Sequence, residues 1–322
     1  MRNHANRRGL IAAACTAAAT LVAGVLGAGP ASAQASLRVN YSFASGFLSG
    51  FNAPTVSPPG ANDFSCRPSA AHPYPVVLAH GTIENMNDNW QAAAPILASH
   101  GYCVFALNYG GSAPGGDFQA TGDIAASARQ LASFISDVLA ATGAAKVDIV
   151  GHSQGGMMPR YYINFLGGAA KVDKLVALAP SNYGTTIDGL TTLGQTLGLL
   201  GPINSLLTTV CRACVEQEVG SSFLAALNAR PTVPGVSYTV IESTGDEVVT
   251  PYTNAFLPPA PNVTNITVQR QCQLDASDHL EISYDPVAMA DMLNALDPAQ
   301  LARVPCLVVL PVFGPVGPVP PS

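Results

Sequence analysis

Short apolar runs alternate with longer amphipathic stretches along most of the chain. The apolar runs are bounded by Gly, Pro, Asn, Asp or Ser, which is typical of strands that are buried on both faces of a sheet. This pattern predicts strands at residues 76–79, 103–107, 146–150, 172–178, 238–241 and 263–268. Apolar positions spaced three, four or seven residues apart predict helices at residues 88–99, 121–142, 154–166 and 285–296.

The alternation of these elements predicts βαβ units, and therefore a mostly parallel central sheet with helices on both faces. We detect no internal repeat and no linker, so we expect residues 34–322 to form a single domain. Residues 34–72 are rich in Ser, Pro, Gly and Asn, and we expect an irregular lead-in with one short strand. Residues 310–322 form a Pro-rich tail.

One stretch departs from this alternation. Residues 189–211 are rich in Leu, contain no charged side chain, and are numerous enough to span a bilayer. Gly201, Pro202 and several Thr, Gln and Asn residues interrupt the stretch, so we interpret it as an apolar cap or lid over a pocket, within an insertion at about residues 185–230. The alternative is that the stretch is simply buried against the sheet.

The overall composition excludes two broad classes of protein. Only 11% of the 322 residues are charged and 48% are hydrophobic, whereas an ordinary domain has roughly 25% charged residues. With 14 Lys and Arg against 20 Asp and Glu, the chain has no basic excess for binding nucleic acid. The high apolar content together with a net charge of −6 argues against intrinsic disorder.

The first 33 residues have the pattern of an export signal. Arg7 and Arg8 precede an apolar run over residues 9–29, and the small residues Ala31-Ser32-Ala33 follow it. This arrangement predicts a signal peptide at residues 1–33, cleavage after Ala33, and a secreted, extracellular protein without an integral membrane span in the mature chain. Arg7-Arg8 is compatible with either the twin-arginine or the general export route.

The cysteines agree with an oxidising compartment. Six of the seven follow the signal segment, and an even number suggests three disulfides. Sequence alone allows 15 pairings of six cysteines. Proximity along the chain favours the pairs Cys66–Cys103, Cys211–Cys214 and Cys272–Cys306. The alternative of a zinc site at Cys211 and Cys214 lacks a second ligand pair, so we expect no bound metal.

A nucleophile motif occurs at Gly151-His152-Ser153-Gln154-Gly155, which matches G-x-S-x-G. A predicted strand leads into the motif and a predicted helix leaves it, which is the setting of a serine on a sharp turn. In such sites the acid and then the histidine follow the serine along the chain. Only His279 follows Ser153 among the six histidines, so we expect it to be the base.

The acidic partner is less strongly determined. The aspartates between the serine and the histidine are Asp173, Asp188, Asp246, Asp275 and Asp278. We favour Asp246 because it follows the predicted strand at 238–241, and such sheets collect functional groups at the carboxyl ends of their strands. Asp275 and Asp278 remain alternatives that orient the loop of His279 or bind a cation.

A serine that attacks a carbonyl group also needs hydrogen-bond donors for the oxyanion that forms. The backbone N–H of Gln154, directly after the nucleophile, is one candidate. The backbone N–H of Thr82, in the loop after the strand at 76–79, is the second, and its hydroxyl is a third. The alternative interpretation of His80-Gly81 is a simple strand terminator.

The sequence 77–82, with Asn87-Asp88-Asn89-Trp90 after it, resembles the opening signature of secreted bacterial class 2 triacylglycerol lipases. The motifs at 151–156, 245–246 and 278–279 match the same family, and the resemblance covers residues 73–297. It implies an α/β-hydrolase fold and the catalytic and oxyanion residues named above.

The resemblance further implies hydrolysis of lipid or other acyl esters through an acyl-enzyme, without a cofactor. We expect transient contact with a lipid interface and a monomeric enzyme. A carboxylesterase or polyester depolymerase is the alternative activity, and a non-catalytic binding protein of the same fold is the alternative from another class.

Overall fold

The described part of the chain is built around a six-stranded parallel sheet. The structure is a computed structural model and describes residues 37–111, 116, 118–186, 189 and 211–320. The strands are β1 (Val76–Ala79), β2 (Val104–Leu107), β3 (Val147–His152), β4 (Val172–Leu178), β5 (Ser237–Glu242) and β6 (Val263–Thr267). They lie in the order β2-β1-β3-β4-β5-β6.

Helices connect the strands and cover the sheet. They are α1 (Phe43–Gly50), α2 (Met86–Asn89), α3 (Ala93–Ser99), α4 (Ile124–Thr142), α5 (Gln154–Phe165), α6 (Arg212–Glu216), α7 (Ser222–Asn228), α8 (Val268–Gln271) and α9 (Pro286–Leu296). Short 3₁₀ turns occur at Gly168–Ala170, Tyr252–Ala255 and Glu281–Ser283. A two-stranded antiparallel ribbon, β7 (Val309–Leu310) and β8 (Gly314–Pro315), lies in the Pro-rich tail.

The strands are apolar throughout because both faces of the sheet are covered. Along β1, Val77 and Ala79 pack in the core that includes Leu131 of α4. Val76 and Leu78 pack in the core on the other face with residues of α3 and α9. Alternate residues of a strand point to opposite faces, so a strand between two helical layers needs apolar side chains at every position. The prediction of a central parallel sheet with two helical layers is therefore confirmed.

Two predicted segments differ from the structure. The helix predicted at 88–99 is two helices, α2 and α3, because the chain leaves helical geometry at Trp90 and buries that ring completely. The lead-in contains the helix α1, whereas we predicted irregular chain with one strand. Ser42 caps α1, and its phenylalanines recur every four residues, a periodicity that the surrounding Ser and Gly residues obscured.

The strand order has a consequence for where a site can lie. The connection from β1 leads to β2 on one side, whereas the connection from β3 leads to β4 on the other. The two connections diverge, so a crevice forms outside the carboxyl ends of β1 and β3, at the switch point of the sheet. The loop after β1 and the turn after β3 therefore lie next to each other.

Three disulfides occur in the described residues: Cys66–Cys103, Cys211–Cys214 and Cys272–Cys306. They are the pairs that proximity along the chain favours. The first joins the lead-in to the residue before β2, and the third joins the end of α8 to the segment before the tail ribbon. Two of the three bonds therefore attach segments outside the strand-and-helix core to that core.

The tail also contacts the lead-in. The backbone N–H of Ala44 donates to the carbonyl of Val312 at 2.9 Å.

No helix within the described ranges is long and apolar enough to cross a bilayer. The predicted signal peptide at 1–33, Asp188 and almost all of the charge-free stretch at 189–211 lie outside the described residues.

We predict that the two kinds of disulfide differ in their effect on stability. Replacing Cys66 and Cys103 together by Ala removes a bond that closes 37 residues, which should lower the free energy of unfolding by about 4 kcal/mol. Replacing Cys211 and Cys214, only 3 residues apart, should cost less than about 2 kcal/mol. Denaturant unfolding of both double variants measures the difference, and equal losses would contradict the loop-closure argument.

Candidate active site

Ser153 occupies the sharp turn between β3 and α5. Its backbone has φ 53° and ψ −122°, a conformation that residues other than glycine rarely adopt. The strand ends at His152 and the helix begins at Gln154, so the serine is the single residue of the turn. This geometry lifts the serine side chain above the carboxyl end of the sheet, as the sequence motif predicts.

The glycines of the motif are required by close backbone contacts. A Cβ on Gly155 would lie 2.0 Å from the carbonyl oxygen of Ala79 in β1. A Cβ on Gly151 would lie 1.9 Å from the carbonyl oxygen of Gly155. The helix therefore starts in direct contact with the neighbouring strand, and only glycine, which has no Cβ, fits between them.

His279 and Asp246 form a buried pair. The Nδ1 of His279 is 2.8 Å from Oδ2 of Asp246. Both side chains are buried: that of His279 is 1% exposed and that of Asp246 is 0% exposed. The other oxygen, Oδ1, accepts hydrogen bonds from the backbone N–H groups of Val248 and Val249. The carboxylate is therefore held by its own loop and presents one oxygen to the imidazole.

This carboxylate also changes the electrostatics of the imidazole. Burial by itself lowers the pKa of His279, but the charge of Asp246 and its hydrogen bond act in the opposite direction and prevail. The net result is a pKa above the ordinary value of a histidine. The site thus favours the imidazolium form that a base reaches when it has taken a proton.

The other candidate aspartates have different partners. Asp173 pairs with Lys146 at 3.1 Å and with Lys174 at 3.3 Å, away from the carboxyl end of its strand. Asp275 accepts from the backbone of Ser277, and Asp278 accepts from the backbone of Glu281. The structure therefore brings Asp246, and not these three, to the imidazole of His279.

The residue before the serine connects the elbow to the histidine loop. The Nε2 of His152 lies 2.9 Å from the carbonyl oxygen of His279, and the two rings are 5.1 Å apart between centroids. Ser153 itself is 5% exposed. The loop that carries His279 is thus anchored against the turn that carries the serine.

Thr82 lies over the start of α5 and is held by two amides. Its Oγ1 accepts hydrogen bonds from Nε2 of Gln154 and from Nε2 of Gln217, each at 2.9 Å. Both lone pairs of the hydroxyl are then occupied, which leaves its hydrogen for another acceptor. The N–H of Gln154 is at the first position of a helix and has no intrahelical partner. The two predicted oxyanion residues are therefore in direct contact.

Several polar residues of the site were not predicted from the sequence. Gln217 is 135 residues from Thr82, and no local pattern identifies it. Glu242, at the end of β5, is completely buried, and burial together with the charge of Asp246 raises its pKa well above the ordinary value. Its surroundings therefore favour the protonated form of Glu242. Glu84 and His152 form a second buried pair.

Comparison with known proteins places these residues in context. Residues 73–289, more than half of the chain, match the family profile described as Lipase (class 2). Over 97 residues, or 29% of this chain, the sequence is 40% identical to a triacylglycerol lipase from Pseudarthrobacter phenanthrenivorans and to another from Burkholderia plantarii. The matched segment spans only 28% and 25% of those two proteins.

Solved structures with a similar fold include Aspergillus fumigatus lipase B, at a TM-score of 0.58 and 20% identity, covering 74% of this chain and 55% of that one. Bacillus licheniformis lipase BlEst2 in its propeptide form gives a TM-score of 0.50 and 15% identity, covering 79% and 55%. At these identities the similarity concerns the fold alone, and it confirms the predicted α/β-hydrolase fold.

We predict that Gly155→Ala disrupts the elbow. The new methyl group would overlap the backbone of β1, which cannot move without breaking the sheet, so the free energy of unfolding should fall by more than about 3 kcal/mol. Gly143→Ala is the matched control, because that glycine has φ +73° but nothing within 4 Å of an added Cβ. It should cost about 1–2 kcal/mol, from backbone strain alone. Comparable losses in denaturant unfolding would contradict the steric explanation.

Proposed function

Because the chain belongs to the class 2 lipase family, we propose that it is a serine ester hydrolase, and specifically a triacylglycerol lipase, with Ser153, His279 and Asp246 as its catalytic triad. The observation that carries the proposal is the buried bond between His279 and Asp246, in a loop anchored beside the serine of the elbow. A histidine that is oriented by a carboxylate and lies beside a serine on a sharp turn is the arrangement that activates a hydroxyl nucleophile.

In the proposed reaction, the Ser153 hydroxyl attacks the ester carbonyl while His279 takes its proton. Asp246 holds the Nδ1 hydrogen and stabilises the imidazolium, in keeping with the raised pKa of His279. His279 then returns the proton to the departing alcohol. Water attacks the acyl-serine in the second half of the reaction, again with His279 as the base, and releases the acid. No cofactor takes part.

The oxyanion is stabilised by Thr82 and Gln154 in this proposal. The backbone N–H groups of both residues and the hydroxyl of Thr82 are the donors. The hydroxyl is already oriented, because the amides of Gln154 and Gln217 occupy its lone pairs. A donor that is fixed before the charge develops needs no reorganisation, and one such donor is worth about 3–4 kcal/mol.

The proposed substrates are acyl esters of lipids. The partial matches to triacylglycerol lipases and the charge-free stretch at 189–211 support an apolar acyl site. We also propose export, with residues 1–33 as the signal peptide, transient contact of the enzyme with a lipid interface, and a monomeric state. The three disulfides support an oxidising compartment.

We predict that Ser153→Ala lowers the hydrolysis of p-nitrophenyl esters by at least about 10³-fold, because the acyl-enzyme no longer forms. Ser136→Ala, on the exposed side of α4, is the matched control and should retain full activity. A lipase should also hydrolyse octanoyl esters faster than acetyl esters. Undiminished activity in Ser153→Ala would refute the triad, whereas a preference for acetyl esters would favour a carboxylesterase.

We predict a characteristic pH profile. His279 must be neutral to act as a base, and Asp246 raises its pKa, so kcat/KM should rise with pH through that raised value. In Asp246→Asn, burial still lowers the pKa of His279, but the attraction of its imidazolium to a carboxylate is lost. The midpoint of the kcat/KM profile should therefore move to lower pH, and kcat should fall by roughly 10³–10⁴-fold. Profiles of both enzymes measure this, and a midpoint that stays constant would contradict the assignment of Asp246.

The same pair should contribute to stability with a defined sign. A histidine whose pKa is higher in the folded state contributes stability that is fully present below the unfolded value, about 6.5, and is lost as the pH rises through the folded value. The contribution of the pair should therefore be greater on the acidic side of that interval than on the alkaline side.

A further inference from the structure

A second carboxylate–imidazole pair lies behind the proposed triad. Oε2 of Glu84 is 2.9 Å from Nδ1 of His152, and the two side chains are 2% and 1% exposed. Glu84 belongs to the loop after β1, and His152 is the last residue of β3. The triad mechanism uses neither side chain, although a buried charge of this kind is costly unless it is well paired.

The pair is connected to both halves of the site. Oε2 of Glu84 also accepts a hydrogen bond from the backbone N–H of Gly81, at 3.0 Å, in the loop that carries Thr82. On the other side, Nε2 of His152 contacts the carbonyl oxygen of His279 at 2.9 Å. The pair therefore forms a continuous path of hydrogen bonds from the oxyanion loop to the loop of the base.

The direction of these bonds determines where hydrogen must lie. A carbonyl oxygen only accepts, so Nε2 of His152 carries a hydrogen and donates it to His279. Nδ1 of His152 faces Oε2 of Glu84 at 2.9 Å and Nδ2 of Asn89 at 3.0 Å. Without a hydrogen between them, Nδ1 and Oε2 would repel each other as two bare acceptors, so a hydrogen on one of these two atoms joins Glu84 to His152.

His152 is the direct partner of Glu84, although the charge of Glu84 also contributes to raising the pKa of His279. Burial lowers the pKa of His80 to about 4, so that side chain is uncharged at neutral pH. Burial and then the charge of Glu84 raise the pKa of Asp88 well above its usual range. Within the part of the chain that the structure describes, His152 is the only ion-pair partner of Glu84. The Glu84 carboxylate is therefore paired directly with His152 and with no other basic side chain of the described residues.

The surrounding residues are adapted to the pair. Nδ2 of Asn89 donates to Oε1 of Glu84 at 3.0 Å, and Oδ1 of Asn89 accepts from the N–H of Gly81 at 3.2 Å. A Cβ on Gly81 would lie 2.2 Å from Oε2 of Glu84 and 3.1 Å from Nδ1 of His152. Glycine at this position thus leaves the room that the carboxylate and the imidazole occupy.

We propose that Glu84 and His152 are positioning residues that hold the oxyanion loop and the loop of His279 in register with Ser153. The proposal rests on the proposed function, because it assigns these residues to the same catalytic site. They touch neither substrate nor reacting atoms, and act through Gly81 and through the carbonyl of His279. Misplacement of catalytic groups by about 1 Å can cost 10²-fold in rate, so such a clamp should act mainly on kcat.

The test compares Glu84→Ala with Glu84→Gln. Alanine removes the contacts of the carboxylate with Gly81, His152 and Asn89, and we expect kcat for a soluble ester to fall about 10²-fold while KM changes less than about threefold. With its carbonyl oxygen in the place of Oε2, glutamine can still accept from the N–H of Gly81 and from a hydrogen on Nδ1 of His152, although it loses the bond from Asn89, and should recover kcat to within about tenfold of the wild type. Asp173→Asn, in a partly exposed ion pair with Lys146 away from the site, is the control and should retain full activity.

The pair should also behave as one unit. Because Glu84 and His152 act through the same bond, the double variant Glu84→Ala with His152→Ala should lose about as much kcat as the more impaired single variant. Losses that multiply, or full kcat in a folded Glu84→Ala protein, would overturn the proposal. Ser153→Ala is assayed in parallel: if it is inactive while Glu84→Ala is fully active, only the positioning role fails, whereas an active Ser153→Ala refutes the proposed function.

A measurement on the wild-type protein applies if the variants fail to fold. In protein with ¹⁵N-labelled histidine, Nε2 of His152 should carry a hydrogen under the conditions of the activity assay, because it donates to the carbonyl of His279. Its N–H signal should also exchange slowly with water. A His152 ring whose Nε2 carries no hydrogen would overturn the proposal.

Discussion

The close approach of helix α5 to strand β1 is the constraint on which the rest of this structure depends. The helix begins so near the strand that the space between Gly155 and the carbonyl of Ala79 admits no side chain. The chain can make this approach only by turning within a single residue, which places Ser153 in a strained conformation. The packing of helices on both apolar faces of the sheet fixes the two strands and thereby holds the strained turn in place.

The same approach determines which polar groups meet. The loop after β1 and the turn after β3 lie at the switch point of the sheet, so Thr82 reaches the amide of Gln154, and Glu84 reaches His152. These contacts are buried, and each carboxylate in such surroundings must be paired or neutral. Asp246 is paired with His279, Glu84 is paired with His152, and burial and the charge of Asp246 raise the pKa of Glu242, which favours its protonated form. In this site the cost of burying each of these carboxylates is therefore offset by a histidine partner or by protonation.

The low charge content of the chain follows from this architecture. A parallel sheet between two helical layers leaves little room for charged side chains, and several carboxylates that the chain does contain are buried in the site. Surface ion pairs such as Lys146–Asp173 are few among the described residues and contribute little. Disulfides instead attach the lead-in and the C-terminal segment to the core.

The sequence by itself determined the elements that depend on local pattern. The alternating strands, the strand–serine–helix motif and the single histidine after Ser153 were all recognisable, because periodicity and chain order are properties of neighbouring residues. The lead-in helix was missed because Ser and Gly residues masked its phenylalanine repeat. The sequence favoured Asp246 because of its position after a strand. The hydrogen bond between Asp246 and His279 became evident only in the tertiary structure.

Only the tertiary structure revealed the contacts between distant residues. Gln217 orients Thr82 across 135 residues, and Glu84 meets His152 across 68. Neither contact leaves a local signal, because each depends on strand order and on the loops that the switch point brings together. The sequence contains the proposed reacting groups in recognisable motifs, whereas the groups proposed to position them are brought together by the fold, which no spacing along the chain encodes.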